Sequence, residues 1–247
     1  MIVALCPLDN AFDTATNIAA IELQLARAAA GGASLAVFPE CGLTGFKARQ
    51  DLSHAHIADA LEQVRALAAR HGIAAFMPST ELDRSGRPRN RARLFDAQGV
   101  QRACFEKQGL TRSEELWFAA SDTPRRRVFD LGGRRFGVVF CIELKATHDR
   151  WFNEPVDGVL FPGYWGYGEP FDWSTPGPHG GDATMRERAR QWNAPLLHAN
   201  TRRDEVAPRR GDQTVLGGSL AVAPDGTLLH PFEPHRREPI LVRLPSR

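Results

Sequence analysis

Lysine is scarce in this chain: of 247 residues only Lys47, Lys107 and Lys145 carry an ammonium group, and arginine supplies nearly all the positive charge. Cysteine is scarce too, with Cys6, Cys41, Cys104 and Cys141. Four thiols without paired spacing make neither a zinc site nor a disulfide scaffold, so reduced cysteines are the simplest inference. No apolar stretch approaches the roughly 18 residues of a membrane span, so no membrane partner is expected. The opening MIVALCPLDN has too short an apolar run and no basic lead-in for a secretory signal, and it reads as the first strand of a cytoplasmic protein. With a net charge of +2, runs such as Arg125-Arg126-Arg127 and Arg209-Arg210 lie scattered between acids. They lack interleaved aromatics or a helix-turn-helix pattern, so they read as solvated surface and no nucleic-acid partner is expected.

What is present is an alternation of apolar strands and amphipathic helices. Ile2 to Cys6 reads as a strand. Thr14 to Ala30 reads as a helix with Ile18, Ile21 and Leu25 on one face and Gly31-Gly32 to stop it. Leu35 to Phe38 and Ile73 to Met77 read as strands around a helix from Ile57 to Arg70, which turns Leu61, Val64 and Leu67 inward. Hairpin-like strands follow around Ala92 to Asp96 and Gln101 to Glu106, joined by a Gly99 turn. After Trp117 the pattern recurs: a strand to Cys141, a helix near Thr147 to Phe152, strand Gly158 to Phe161, helix Ala183 to Trp192, strand Leu196 to Ala199. Helical connections between strands favour helix-covered sheets, and hairpins make those sheets mixed. No linker divides the chain, so one domain over residues 1–247 is expected.

Three segments carry candidate chemistry. In RFGVVFCIEL, Cys141 ends a β-branched run preceded by a glycine, which places a thiol at a strand end where a ligand can reach it. Taken alone it reads more readily as core packing than as a nucleophile, since free cysteine behaves as a small hydrophobe. In SLAVFPECGLTGF a short strand stops at Pro39 and leaves Glu40 just past its end. In ACFEKQGLTRSEELWF, Lys107 closes another apolar segment, and Glu114 and Glu115 follow within about two helical turns. A cation beside a cysteine favours its thiolate, and a carboxylate beside it takes its proton.

Together these segments resemble the nitrilase superfamily of carbon-nitrogen hydrolases, whose catalytic Glu, Lys and Cys occur in that order. Phe38-Pro39-Glu40 followed by Leu43-Thr44-Gly45-Phe46 is similar to the family's glutamate motif. Lys107 with Leu110 and Glu115-Leu116-Trp117-Phe118 is similar to its lysine motif, and Gly137 through Cys141 to its cysteine motif. The tail TVLGGSLAVAPDGTLL is similar to its closing Gly-Ser strand and Pro-x-Gly hairpin. The resemblance implies an α/β four-layer α-β-β-α sandwich of two mixed sheets, commonly paired with another subunit as a homodimer or higher homo-oligomer.

The resemblance also implies a reaction: thiol-dependent cleavage of a small-molecule amide through a Cys141 thioester, with no cofactor and no metal. Glu40 serves as general base and acid, while Lys107 and the backbone N–H of Ile142 hold the oxyanion. Glu115 is the expected second glutamate that holds the lysine, in preference to its neighbour Glu114, because the EL-WF spacing fits better. Of the aromatics between Gly163 and Asp182, namely Tyr164, Trp165, Tyr167, Phe171 and Trp173, Trp165 is the leading pocket candidate. His179 reads as a polar loop residue, and Arg202 or Arg203 as an optional carboxylate clamp.

The chain departs from the family pattern after the nucleophile. Cys141-Ile142-Glu143-Leu144-Lys145 keeps an acid two residues on, where many members have Cys-Tyr-Asp, but loses the Arg-Phe-Pro-Glu run. Glu143 reads as structural and Lys145 as a stand-in for the arginine. The usual Ala-x-Glu-Asn signature is also missing around Ala199-Asn200. The branch of the family is therefore open, and nitrile hydrolysis and acyl transfer remain alternatives, although the short length and missing nitrilase tail favour amides. A papain-like pairing of Cys141 with His198 lacks that family's signature and leaves Glu40 and Lys107 unexplained. His54 and His56 with a distant His148 make a weak metal pattern. A catalytically silent scaffold protein is the reading from another class, and its signature would be loss of Glu, Lys or Cys, all of which are present.

Overall fold

The computed structural model describes residues 1–9, 11, 13–46, 52–121, 127–145, 151–165, 181–202, 217–233 and 235–245. In chain order the first half builds β1 (Ile2–Leu5), α1 (Thr14–Ala30), β2 (Leu35–Val37), α2 (His54–His71), β3 (Ala74–Leu82), β4 (Pro88–Phe95) and β5 (Gln101–Glu106). The second half builds β6 (Val128–Leu131), β7 (Arg134–Val138), a 3-10 turn (Cys141–Lys145), β8 (Gly158–Gly163), α3 (Gly181–Trp192), β9 (Leu196–Asn200), β10 (Leu220–Val222) and β11 (Ile240–Arg243).

The helices begin and end where their caps dictate. Asp13 accepts the amide of Thr16 at 2.8 Å to start α1, and Ser53 accepts that of His56 at 3.1 Å to start α2. Gly72 takes the left-handed conformation, φ +62°, that closes α2. Because α1 and α2 return the chain, β1, β2 and β3 run parallel, whereas β3, β4 and β5 are antiparallel hairpin neighbours. The first sheet has the order β11-β1-β2-β3-β4-β5 and the second β10-β9-β8-β7-β6.

Alternation along the strands sorts side chains into three packed layers. Between the sheets, Val3, Leu5, Val37, Phe76 and Leu94 meet Phe136, Val138, Phe140, Leu160 and Leu197. The opposite face of the first sheet, with Ala4, Cys6, Ala75 and Met77, packs on Ile21 and Leu25 of α1 and Val64 and Leu67 of α2. The outer face of the second sheet, with Val159, Phe161, Leu196 and Leu220, packs on Met185 and Ala189 of α3. The result is the expected α-β-β-α sandwich with mixed sheets.

Two local expectations change. The strand leading to Cys141 stops at Val138, and the nucleophile candidate stands three residues beyond it on the 3-10 turn. Residues 146–150, where most of a helix near Thr147 was expected, lie outside the described residues, while Trp151 and Phe152 are not helical. No described helix is long and apolar enough to cross a membrane.

Candidate active site

Glu40, Lys107 and Cys141 come together between the sheets. Glu40 follows β2 and the helix-incompatible Pro39. Its amide donates to Gly163 O at the end of β8 (3.4 Å), which fixes the glutamate loop to the second sheet. Asn90 points inward from β4, its carbonyl accepts the amide of Lys107 (2.8 Å), and its side chain donates to Glu40 Oε1 (2.8 Å). Lys107, one residue past β5, is buried, and its Nζ donates to Glu40 Oε1 at 2.7 Å and Glu114 Oε1 at 2.5 Å. An ammonium group has three N–H donors, so one remains for a substrate oxygen.

The carboxylate that holds the lysine is Glu114 and not Glu115, which corrects the sequence-based expectation. Residues 112–117 form turns rather than a helix, and Thr111 sets their phase. The Thr111 amide donates to Glu114 Oε2 (2.8 Å) while Glu114 N returns to Thr111 O (2.8 Å). That local ring turns Glu114 inward, where it is buried, and leaves Glu115 exposed.

Cys141 adopts φ +38°, a left-handed conformation that costs a residue with a β-carbon roughly 1–2 kcal/mol. Strain of this kind at a reactive residue is held by its surroundings. The thiol donates to Tyr164 O at 3.9 Å and also interacts with the Glu40 carboxylate. Glu40 Oε2 makes no hydrogen bond among the described residues, which leaves that oxygen for the cysteine proton.

Electrostatics fix the resting protonation. Burial, then the negative charge of Glu40, push the Cys141 thiol well above its ordinary value, and Lys107 only partly offsets them. The cysteine therefore rests as a thiol and needs a base, rather than standing ready as the thiolate that a neighbouring lysine alone would favour. Burial also raises the Glu40 carboxyl, with Lys107 opposing and Glu114 assisting. Burial disfavours the Lys107 charge, yet the negative charges of Glu40 and Glu114 oppose it and hold the ammonium above the usual lysine range.

The remaining expected residues divide. Ile142 follows the nucleophile candidate in the first turn of the 3-10 segment and is partly exposed. Trp165 is buried in the outer core layer, edge-on to Phe161 at 5.6 Å, with Lys145 Nζ 5.5 Å from its ring and its backbone fastened to Asn200 by 2.9 Å bonds. Its ring is thus a packing element. Tyr164, whose carbonyl accepts from the Cys141 thiol, stacks its ring on Phe46 at 4.5 Å, and Phe118 is tilted against Phe46 at 6.1 Å. Arg202 pairs with Asp9. His198, the papain-like alternative, is buried in β9 and bonds Phe161 O at 2.9 Å. His54 and His56 bond Asp83 O and Thr14 Oγ1. Tyr167, Phe171, Trp173, His148, His179, Arg203 and Arg209-Arg210 lie outside the described residues.

Sequence reasoning missed Asn90 and Arg127. Asn90 stands among alternating arginines on β4, and its signal is being the polar residue on the inward phase of that strand. Arg127, read as the end of a solvated arginine run, is buried and paired with Glu143.

The profile of the family described as carbon-nitrogen hydrolase matches residues 2–243. No curated protein matches the chain. Among solved structures, the NitN amidase of Nesterenkonia sp. AN1 is similar at 26% identity and TM-score 0.77, covering 100% of this chain and 93% of that one. A glutamate-to-glutamine variant of the amidase from that organism, described as showing Michael addition of acrylamide at the active-site cysteine, is similar at 25% identity and TM-score 0.77, with 99% and 93% covered. A cysteine-to-alanine variant in complex with butyramide is similar at 25% identity and TM-score 0.75, with 98% and 88% covered. From its fold, its Glu-Lys-Cys cluster and the match along nearly its whole length, this chain belongs to the carbon-nitrogen hydrolase family of the nitrilase superfamily.

Proposed function

We propose that this protein is an amidase that cleaves a small neutral amide with Cys141 as nucleophile, Glu40 as proton carrier, and Lys107 with the Ile142 N–H as oxyanion donors. Glu40 Oε2 takes the thiol proton as sulfur bonds to the carbonyl carbon, and the carbonyl π pair moves to oxygen. The spare Lys107 N–H and the Ile142 amide receive that oxyanion. As it collapses, the carbon-nitrogen bond breaks, Glu40 gives its proton to nitrogen, and ammonia or an amine leaves a thioester. Water then attacks the thioester while Glu40 takes a water proton. The carbon-sulfur bond breaks, and the proton returns to sulfur. Glu114 holds Lys107 and supplies the second negative charge that keeps it protonated.

The observation that carries this reading is the buried Lys107 held by two carboxylates, one of which also faces the Cys141 thiol. The Nesterenkonia structures with acrylamide and butyramide support small amides as the substrate class. We further infer one catalytic domain spanning the chain, supported by a central core that draws on residues from Val3 to Leu244. Four free cysteines support a reducing, cytoplasmic setting, and association with a second copy rests on the family resemblance.

The test is ammonia release from a panel of short amides, carbamoyl compounds and nitriles, with native protein and Cys141→Ala. Release from amides by native protein alone supports the assignment. Release from nitriles or carbamoyl compounds only, or equal release by the variant, overturns it.

A further inference from the structure

We propose that Glu143 is the positioning residue that sets Lys107 against Cys141, and that Arg127 and Gly109 hold it in place. The proposal rests on the reading of Lys107 and Cys141 as catalytic. Those two residues belong to different sheets, Lys107 at the end of β5 and Cys141 beyond β7. One buried carboxylate bridges them. Its Oε1 accepts the amides of Gln108 (2.7 Å) and Gly109 (2.8 Å), the two residues after Lys107. Its Oε2 accepts the amide of Phe140 (3.0 Å), the residue before Cys141.

Arg127 completes the bridge from the other side. Both its terminal nitrogens donate to Glu143, Nη2 at 3.0 Å, and Nη2 also donates to Glu106 O at 2.7 Å, the residue before Lys107. The lysine backbone is thus gripped on both sides by one ion pair. The guanidinium lies over Trp151 (4.3 Å from the ring centre) and faces Phe140 (5.4 Å), so neither it nor Glu143 can relax into water.

Gly109 supplies an independent observation. A β-carbon there would stand 2.9 Å from Glu143 Cγ, closer than such contacts allow, so a residue with no side chain is what lets the carboxylate reach both loop amides. A buried ion pair adds little net stability over apolar residues of similar size, because desolvation offsets the attraction. Its value here is directional: the donors of both catalytic loops converge on one acceptor pair.

The experiment compares native protein, Glu143→Gln, Gly109→Ala and the paired variant Arg127→Met with Glu143→Met. It measures the melting midpoint, kcat and KM for ammonia release from butyramide, and the pH profile of Cys141 alkylation by iodoacetamide, located by peptide mass. The paired variant is expected to melt near the native midpoint while kcat falls about 10²-fold and KM changes less than about threefold. Because Lys107 opposes the upward push on the thiol, its displacement moves the alkylation inflection to higher pH. Gly109→Ala, which changes no charge, shifts kcat and the inflection in the same direction and keeps the test decisive if the paired variant fails to fold. Folded variants with native kcat and native alkylation profile, or losses equal to the unfolded fraction, overturn the proposal. If native protein releases no ammonia from any amide, the functional reading fails, while the alkylation profiles still decide the positioning role.

Discussion

At the scale of single residues, the site turns on which carboxylate faces which nitrogen. Glu114 touches Lys107 and Glu115 faces solvent, so Glu114→Gln is expected to lower kcat about 10²-fold, as loss of a group fixing an oxyanion donor does, and Glu115→Gln to leave it unchanged. Steady-state kinetics on the two variants separates them, and the reverse pattern would return the role to Glu115. The raised Glu40 carboxyl has a pH consequence. A base must be ionised to act, so the acid limb of kcat/KM should lie above the roughly 4.3 of an ordinary glutamate. Lys107 pulls that value down, so in Lys107→Met the limb should move further up, with a far lower plateau. Glu40, Lys107 and Cys141 were legible because each sits at the end of an apolar run inside an ordered motif. The choice between Glu114 and Glu115 was not, because their phase depends on a Thr111 turn that no periodicity announces. Arg127 was hidden by Arg125 and Arg126, which give it the look of a surface run.

At the scale of elements, the sequence is most legible where a cap ends a periodic run. The expected α1 matches the observed Thr14–Ala30, because Asp13 and Gly31 bracket a clear apolar stripe. The short β6, Val128–Leu131, had no such signal: four residues with one fully inward aromatic make too little alternation to read. Gly137 in β7 looked like a motif residue and is a steric necessity, since a β-carbon there would lie 2.6 Å from the Phe152 ring. Gly137→Ala is expected to cost about 1–3 kcal/mol, as overpacking does, read as a lower urea midpoint with unchanged slope. A midpoint equal to native would mean that Phe152 moves aside freely. Ser53→Ala should cost α2 about 1 kcal/mol by removing its cap and leave turnover unaffected.

At the scale of the whole molecule, two helix-covered sheets press their inner faces together, and the proposed reacting groups, Glu40, Lys107 and Cys141, stand past strand ends of both. Stability therefore belongs to the interior layers and activity to their rim. Helix and strand periodicity pointed to helix-covered mixed sheets, while the face-to-face pairing of those sheets came only from the family resemblance, because contacts between distant strands leave no local pattern. His198 reports on the interior: burial, partly opposed by its bond to Phe161 O, lowers its imidazole from the usual 6.5 to about 4. Between those values the unfolded chain binds a proton that the folded one refuses, so stability falls as pH drops from about 6.5 toward 4 and levels off below. Replacing it, as in His198→Leu, should flatten that slope by roughly 3 kcal/mol across the window, measured by urea unfolding at several pH values. The central claim concerns one sulfur among four. Native protein treated with iodoacetamide and mapped by peptide mass spectrometry should carry a single carboxamidomethyl adduct on Cys141, with Cys6, Cys41 and Cys104 unmodified. An adduct on Cys104 in place of Cys141, or none while the protein still turns over amide, would contradict the account.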